Sequence, residues 1–329
     1  MKDSPPTHAK AINMLALATI FWGLSFPVMK ALGQLQHQLL PESSSWFGTA
    51  FVNTLRFGLA FILMTFFTLG SLKSITRSEV WQGFGLGFLG GVGCIFQMDA
   101  LNYTSASTSA FLTQAYCIVL PLILAIRTRS WPPAKLLFAS VLVITGIAIL
   151  SEVSWGAFSL GRGETETLIG SMIFAGQILW LERPIFRTNN VKHFSLVMFG
   201  TIAVIGAMFL FFSMRSLAEP LTMLRSGSVY LLVGQLVVFC TLIAYVMMNY
   251  WQPKISSVEA GLIYCIEPVF ASLFALFLPA LFSKWFGVNY PNESITQNLL
   301  WGGGLILAAN VLLQLNFGKS SNKRSQSAC

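Results

Sequence analysis

Ten apolar stretches of about twenty residues each succeed one another along this chain, with only short polar joints between them. They fall near residues 11–33, 48–69, 81–103, 106–127, 134–152, 167–186, 194–213, 229–250, 258–280 and 297–316. A hydrocarbon core ~30 Å thick is crossed by about 20 helical residues. Ten such segments in 329 residues leave no length for a soluble domain. The expected fold is an all-α membrane protein of ten transmembrane helices, embedded in a lipid bilayer.

The charges give that array an orientation. Only 10% of residues are charged, against about 25% in soluble domains. The net charge of +8 raises nucleic acid as a partner, but the basic residues form no stripe and alternate with no aromatic platform, so none is expected. They sit instead in alternate loops. With the N-terminus inside, fourteen Lys and Arg collect on the inner side, and only Lys30, Arg162, Arg215, Arg225 and Lys284 on the outer. That bias puts both termini in the cytoplasm and turns loops 34–47, 153–166, 214–228 and 281–297 outward. Residues 1–10 then read as a short cytoplasmic tail and 318–329 as a basic, disordered one, and neither a cleavable signal nor a lipidation box is evident. Cys94, Cys117, Cys240 and Cys265 lie within spans, and with Cys329 they imply no disulfide framework.

The ten spans divide into two copies of five. The approach to the fourth, Thr104-Ser105-Ala106-Ser107-Thr108-Ser109-Ala110, sets its Ser and small residues in register with Ile255-Ser256-Ser257-Val258-Glu259-Ala260-Gly261 before the ninth, at an offset of 151. Both spans carry a proline, Pro121 and Pro268, at positions that do not align. The fifth and tenth match in character around Gly146 and Ala309. An odd number of crossings per copy inverts the second copy, an architecture that recurs in secondary transporters with the substrate site at the repeat interface. The expected units are 11–152 and 167–317, joined by an outer linker at 153–166.

These features resemble the EamA type of the drug/metabolite transporter superfamily. The resemblance rests on Phe21-Trp22-Gly23-Leu24-Ser25-Phe26, Leu55-Arg56-Phe57, Ala100-Leu101-Asn102-Tyr103-Thr104-Ser105-Ala106 and Glu267-Pro268-Val269-Phe270-Ala271, in that order on ten helices. Some features depart from the pattern: a long loop between the ninth and tenth spans that lacks the usual Gly-Glu opening, Ala309 where glycine is common, and a long first outer loop from Gln34 to Trp46. The family comprises mostly bacterial exporters and exchangers. The resemblance therefore implies a plasma-membrane protein moving a small metabolite, such as an amino acid or a nucleoside-like compound, by alternating access.

Glu267 is the sharpest single residue. Counted from Val258 it lies about 14 Å into its span, near the midplane. A central acidic residue costs roughly 2.5–3.5 kcal/mol to insert, so it implies a cavity, a partner or a proton. The adjoining Pro268 lacks an N–H and frees the Tyr264 carbonyl. The competing reading is a protonated structural peg. Arg56 sits at a similar depth and needs a partner, Glu267 or Asp99 or, more remotely, Glu42, unless it snorkels outward. Gln114 and Tyr116 lie in the middle of the fourth span, with Tyr116 aligned to Glu267 by the offset of 151. Gln97 and Asp99 cluster with Asn102 and Tyr103 at the outer end of the third span, where a gate would stand. Trp22, Ser25 and Asn249 complete the candidate lining.

Other motifs carry less. Gly85-Leu86-Gly87-Phe88-Leu89-Gly90 spells a dinucleotide fingerprint but lies inside an apolar helix, without the strand that motif requires. Gly83, Gly87 and Gly91 instead form a helix-packing stripe. Glu182-Arg183-Pro184 reads as a helix stop. His8, His37 and His193 fall in tails or loops. There is no zinc box, nucleophile elbow or Walker loop, so the chain reads as a non-enzyme without metal or cofactor, with protons a candidate coupling ion.

Overall fold

The structure is a computed structural model describing residues 5–127, 129, 131, 134–150, 160–255, 260 and 263–326. Among the described residues there is helix and no strand. The first helix, α1 (Pro5–Leu39), is longer than its apolar run. It takes in part of the expected tail and the start of the expected first outer loop, because Gln34-Leu35-Gln36-His37-Gln38 contains no breaker and the helix stops only as Pro41 approaches. Ser44, whose side chain accepts from the Phe47 N–H, then caps α2 (Ser45–Thr68). A 3-10 turn, Leu69–Ser74, leads into α3 (Arg77–Ala100).

The fourth span is two helices, α4 (Ala106–Thr113) and α5 (Tyr116–Arg127), followed by α6 (Ala134–Leu150). There follow α7 (Arg162–Leu181), α8 (Val191–Ser213) and a short α9 (Ala218–Leu224) within the expected outer loop. Next comes a continuous rod of α10 (Gly227–Gln235), a π-helical stretch over Leu236–Ile243, and α11 (Ala244–Trp251). Beyond it are α12 (Glu267–Ala275), α13 (Leu278–Phe286) and α14 (Gln297–Gln326), the last carrying helix into the tail expected to be disordered.

Among the described residues, four helical segments are long and apolar enough to cross a membrane: His8–Leu39, Ser45–Ser74, Val191–Ser213 and Gly227–Lys254. A fifth is added if α12 and α13, bent by 50°, form one span. Two shorter apolar helices cover Ala106–Leu120 and Ala134–Leu150. Helices α3 and α7 fall outside this group for a physical reason. Their polar residues Gln82, Asp99, Glu166 and Gln177 are buried against protein, so composition understates how deeply these helices sit.

Helix α3 is clasped on two sides through its glycines. A Cβ on Gly83 would meet the Phe194 carbonyl at 2.5 Å, and one on Gly87 would meet Thr201 Cβ at 2.5 Å and the Met198 carbonyl at 2.7 Å. With Gly91 against Ile202, the expected packing stripe lies along α8. The opposite face receives Trp180 at Gly85, Gln177 at Gly90 and Phe174 at Gly93, all from α7. Helices α6 and α14 meet just as closely, the Gly146 position 2.7 Å from the Gly302 carbonyl and the Gly302 position 2.8 Å from that of Gly146.

At the foot of α3 a buried pin corrects the placing of His193 in a loop. His193 lies in the first turn of α8, 4% exposed. Its Nδ1 is 3.0 Å from Glu79 Oε2 and its Nε2 is 2.9 Å from Ser71 Oγ. Glu79 also closes a capping box with Thr76 and accepts the Asn190 N–H at 2.8 Å. Burial pushes the Glu79 carboxyl up, but hydrogen bonds from the Thr76 and Asn190 backbone and from His193 and Thr76 side chains outweigh it and hold the group below its ordinary range. A depressed carboxyl contributes stability above its unfolded pKa, ~4.3, and loses it as pH falls through the folded value. Glu79→Gln places an amide N–H against a donor, because both carboxylate oxygens accept. It should lower melting in detergent at neutral pH by about 1–3 kcal/mol and flatten the acid limb of the melting profile. An unchanged profile would show the pin to be idle.

Candidate functional site

The two broken helices meet at the centre of the fold. Turn residues Gln114–Ala115 separate α4 from α5, and turn residues Cys265–Ile266 precede α12. Helix α5 therefore starts at Tyr116 and α12 at Glu267, the pair that the offset of 151 sets against each other. Both segments were read as single spans, the ninth with a helix-breaking proline, and each break has a local cause. Pro268 at the second position of α12 removes a backbone donor, as anticipated. At the other break, side chains capture the carbonyls: Ser171 donates to Thr113 O at 2.8 Å and Asn310 Nδ2 to Gln114 O at 3.5 Å. Across the gap, Gln114 Nε2 donates to Glu267 Oε2 at 3.3 Å.

Beside this junction lies a cavity of about 80 Å³. Seven of the sequence-derived candidates line it: Trp22, Ser25, Arg56, Gln97, Tyr116, Tyr264 and Glu267. Gln114 stands directly behind, buried against Glu267. The wall also includes Cys94, Thr113, Phe174, Gln177, Tyr245 and Met248, which sequence reasoning missed. Gln177 had a readable signal as a lone amide in an apolar span. Trp22 sits edge-on to Tyr245 at 5.4 Å and tilted to Tyr264 at 5.8 Å, while its indole Nε1 is buried without an acceptor. Helix α1 comes close enough to present it because Gly23 lies against the backbone of α12, 3.0 Å from Glu267 O and Ala271 N at the Cβ position.

Arg56 is not joined to either carboxylate. Its Nε donates to Thr241 Oγ1 at 2.6 Å and its NH2 to the Cys240 carbonyl at 3.2 Å, with the guanidinium over the Phe57 ring. The π-helical stretch explains the acceptor. There the Ala244 N–H bonds Phe239 O, one residue further back than in an α-helix, which leaves the Cys240 carbonyl for Arg56.

The remaining candidates sit at the two ends. Asp99, fully buried, is drawn from the cavity into a cluster around Arg162, with a 2.6 Å ion pair. Arg162 was read only as a loop charge; its i,i+4 spacing to Glu166 was the available signal. Nearby, the long loop between the ninth and tenth spans brings Glu293 to the start of α4, where its carboxylate accepts from Ala106 N at 2.7 Å and Ser107 N at 3.2 Å. Asn249 lies at the opposite end, donating to Ser195 Oγ at 2.9 Å and lining a vestibule of about 670 Å³ with Arg183, Arg187 and Lys254. A chain from Tyr264 O–H through Gln252 (2.7 Å) to Glu182 (3.3 Å) stands between vestibule and cavity. Glu182 is indeed the C-cap of α7, and it also anchors that chain. Among the described residues no three His, Cys, Asp or Glu gather for a metal ion.

Known proteins agree with this architecture. Residues 9–152 match the model of the EamA-like transporter family. A relative from Archaeoglobus fulgidus, described as an uncharacterized transporter, is 27% identical over 307 residues, 92% of this chain and 84% of that protein. A solved structure described only as "Crystal structure of protein" is similar with a TM-score of 0.55 at 16% identity, covering 91% of this chain and 96% of that one, which is a likeness of fold.

Proposed function

We propose that this chain is a multi-pass membrane transporter of the EamA type, with a small-molecule substrate and a lipid surround. The family match and the transporter-named relative support that reading over an enzyme. Our finer reading is a secondary exporter or exchanger of a small polar metabolite, an amino acid or nucleoside-like compound, working by alternating access. The observation that carries it is the meeting of two helix breaks at aligned positions, with Gln114 and Glu267 bonded across them beside a cavity. Irregular backbone at membrane depth is tolerated only where protein or a water-filled cavity surrounds it, and in transporters such breaks hold substrate.

The cavity's chemistry suits a small amphipathic solute. One wall carries the Glu267 carboxylate, another the Arg56 guanidinium, and aromatic rings and amides lie between. A lone guanidinium, already engaged by Thr241 and Cys240, argues against a polyanion. Closure at the Arg162 end and the wide vestibule at the other support a carrier that opens to one side at a time. Ten crossings in two inverted units, 11–152 and 167–317, are supported by the family match ending at 152 and by the paired breaks. On this reading the Arg162 end faces outward from a bacterial plasma membrane and both termini are cytoplasmic.

The functional test is flux. Purified protein in proteoliposomes should exchange radiolabelled solutes from a metabolite pool, and the same solutes should raise its melting temperature by mass action. Ligands that stabilise the protein yet never cross would defeat the transport reading. Orientation has its own test in a chain freed of native cysteines. An impermeant thiol reagent applied to intact cells should label Leu160→Cys and leave Pro132→Cys untouched. The reverse pattern would invert the topology.

A further inference from the structure

We propose that Asp99 and Glu166 hold one shared proton beneath Arg162, and that releasing this proton opens the Arg162 end of the bundle. This rests on the transport reading and deepens it by naming a proton-controlled gate, which it places away from Glu267. The argument begins with charge. Two buried carboxyl groups, 0% and 7% exposed, face one guanidinium. Arg162 gives its Nε to Glu166 Oε1 at 2.7 Å, one terminal nitrogen to Asp99 Oδ2 at 2.6 Å, and the other to Tyr103 O–H at 2.7 Å. Thr49 donates to the second Asp99 oxygen at 3.3 Å. Glu166 Oε2 is buried and receives nothing.

With both carboxyl groups ionised, the cluster encloses a net negative charge and an unmatched acceptor. Arg162 itself is partly exposed, but the two carboxyl groups beneath it are buried, and there an unmatched charge and acceptor are costly. A proton shared by the two carboxyl groups, both bound to the one guanidinium, removes the charge and gives the orphan oxygen an O–H to donate. It arrives from water at that end and returns there on opening. Other charges do not supply the balance. Helix α3 contributes Asp99 and the Tyr103 phenol beyond its end, and α2 only the neutral Ser45, Trp46 and Thr49. Helix α4 meets Thr167 of α7 through Ser109, and α5 brings Tyr116, in the central cavity. On α7 itself Glu164 lies near Gly161, and Lys30 bonds Thr104 O in the neighbouring latch with Glu293.

The cluster is also placed to control opening. Arg162 ties α7, in the second half, to Ser45, Asp99 and Tyr103 in the first, and its plane lies 4.1 Å from the Tyr103 ring and 5.5 Å from that of Trp46. Removing the proton leaves a like-charge repulsion that separation and hydration relieve.

The test is a distance measured against pH. Spin labels at the exposed positions Glu42 and Thr165 would report it in nanodiscs, with native cysteines replaced. The expected result is a single short distance at low pH and a longer population appearing with a one-proton slope as pH rises. Glu166→Gln and Asp99→Asn should each hold the short distance across the range. Glu166→Asp should restore a step, which also shows that the site still folds. No step in the parent, or an unchanged step in Glu166→Gln, would overturn the proposal. Because the readout is a distance, its loss with flux intact counts against the proton site alone, and flux lost with the step intact counts against the transport reading alone.

Discussion

Replacing Glu267 with glutamine should leave the protein folded and inserted while reducing solute flux by tenfold or more. Glu267 heads α12, is 8% exposed, borders the cavity and accepts from Gln114 across the twin breaks. Glutamine keeps the volume and the acceptor toward Gln114 but cannot ionise. Hydrogen bonds to a charged group contribute about 1.5–3 kcal/mol, so losing one that substrate or proton uses lowers flux roughly tenfold to a hundredfold. A structural peg predicts the opposite pattern. In that case Glu267→Gln transports normally with its pH dependence intact, and only Glu267→Ala fails, by unfolding. Proteoliposome flux across a range of imposed pH differences, beside detergent melting curves for both variants, separates the two.

The second large effect is on stability. Gly87→Leu should lower the melting temperature in detergent and the yield of folded protein, at a cost of ~1–3 kcal/mol or above. The added side chain meets Thr201 Cβ and the Met198 backbone carbonyl, and neither moves without shifting α8. Gly58→Leu is the matched control, because nothing lies within 4 Å of its Cβ position. Equal melting of the two variants would mean that the α3–α8 contact is looser than described.

How much of this was legible in the residues follows from where the causes lie. The glycine stripe of α3 is a property of one helix and was readable by spacing. The offset of 151 was legible too, and it pairs Tyr116 with Glu267, the first residues of α5 and α12. The break at Gln114–Ala115 was not, because no proline marks it; Ser171 and Asn310, distant in sequence, take the carbonyls. For the same reason Arg162 passed as a loop charge, since its partner Asp99 lies in the other half. His193 passed as a loop residue because its partners Glu79 and Ser71 belong to the loop and helix start opposite. Arg56 shows the limit most clearly. Its need for a partner was evident, but its acceptor exists only because the helix around Cys240 is π-wound.

The central claim is that solute crosses through the cavity at the twin breaks, and Cys94, already in its wall, allows a direct measurement. In a chain whose other cysteines are serine, the rate of Cys94 modification by an impermeant thiol reagent would be measured from each face, in intact cells and in inverted vesicles. Alternating access through this cavity predicts modification from both faces and slowing by any solute that the protein carries. Modification from one face only, unaffected by transported solute, would contradict it.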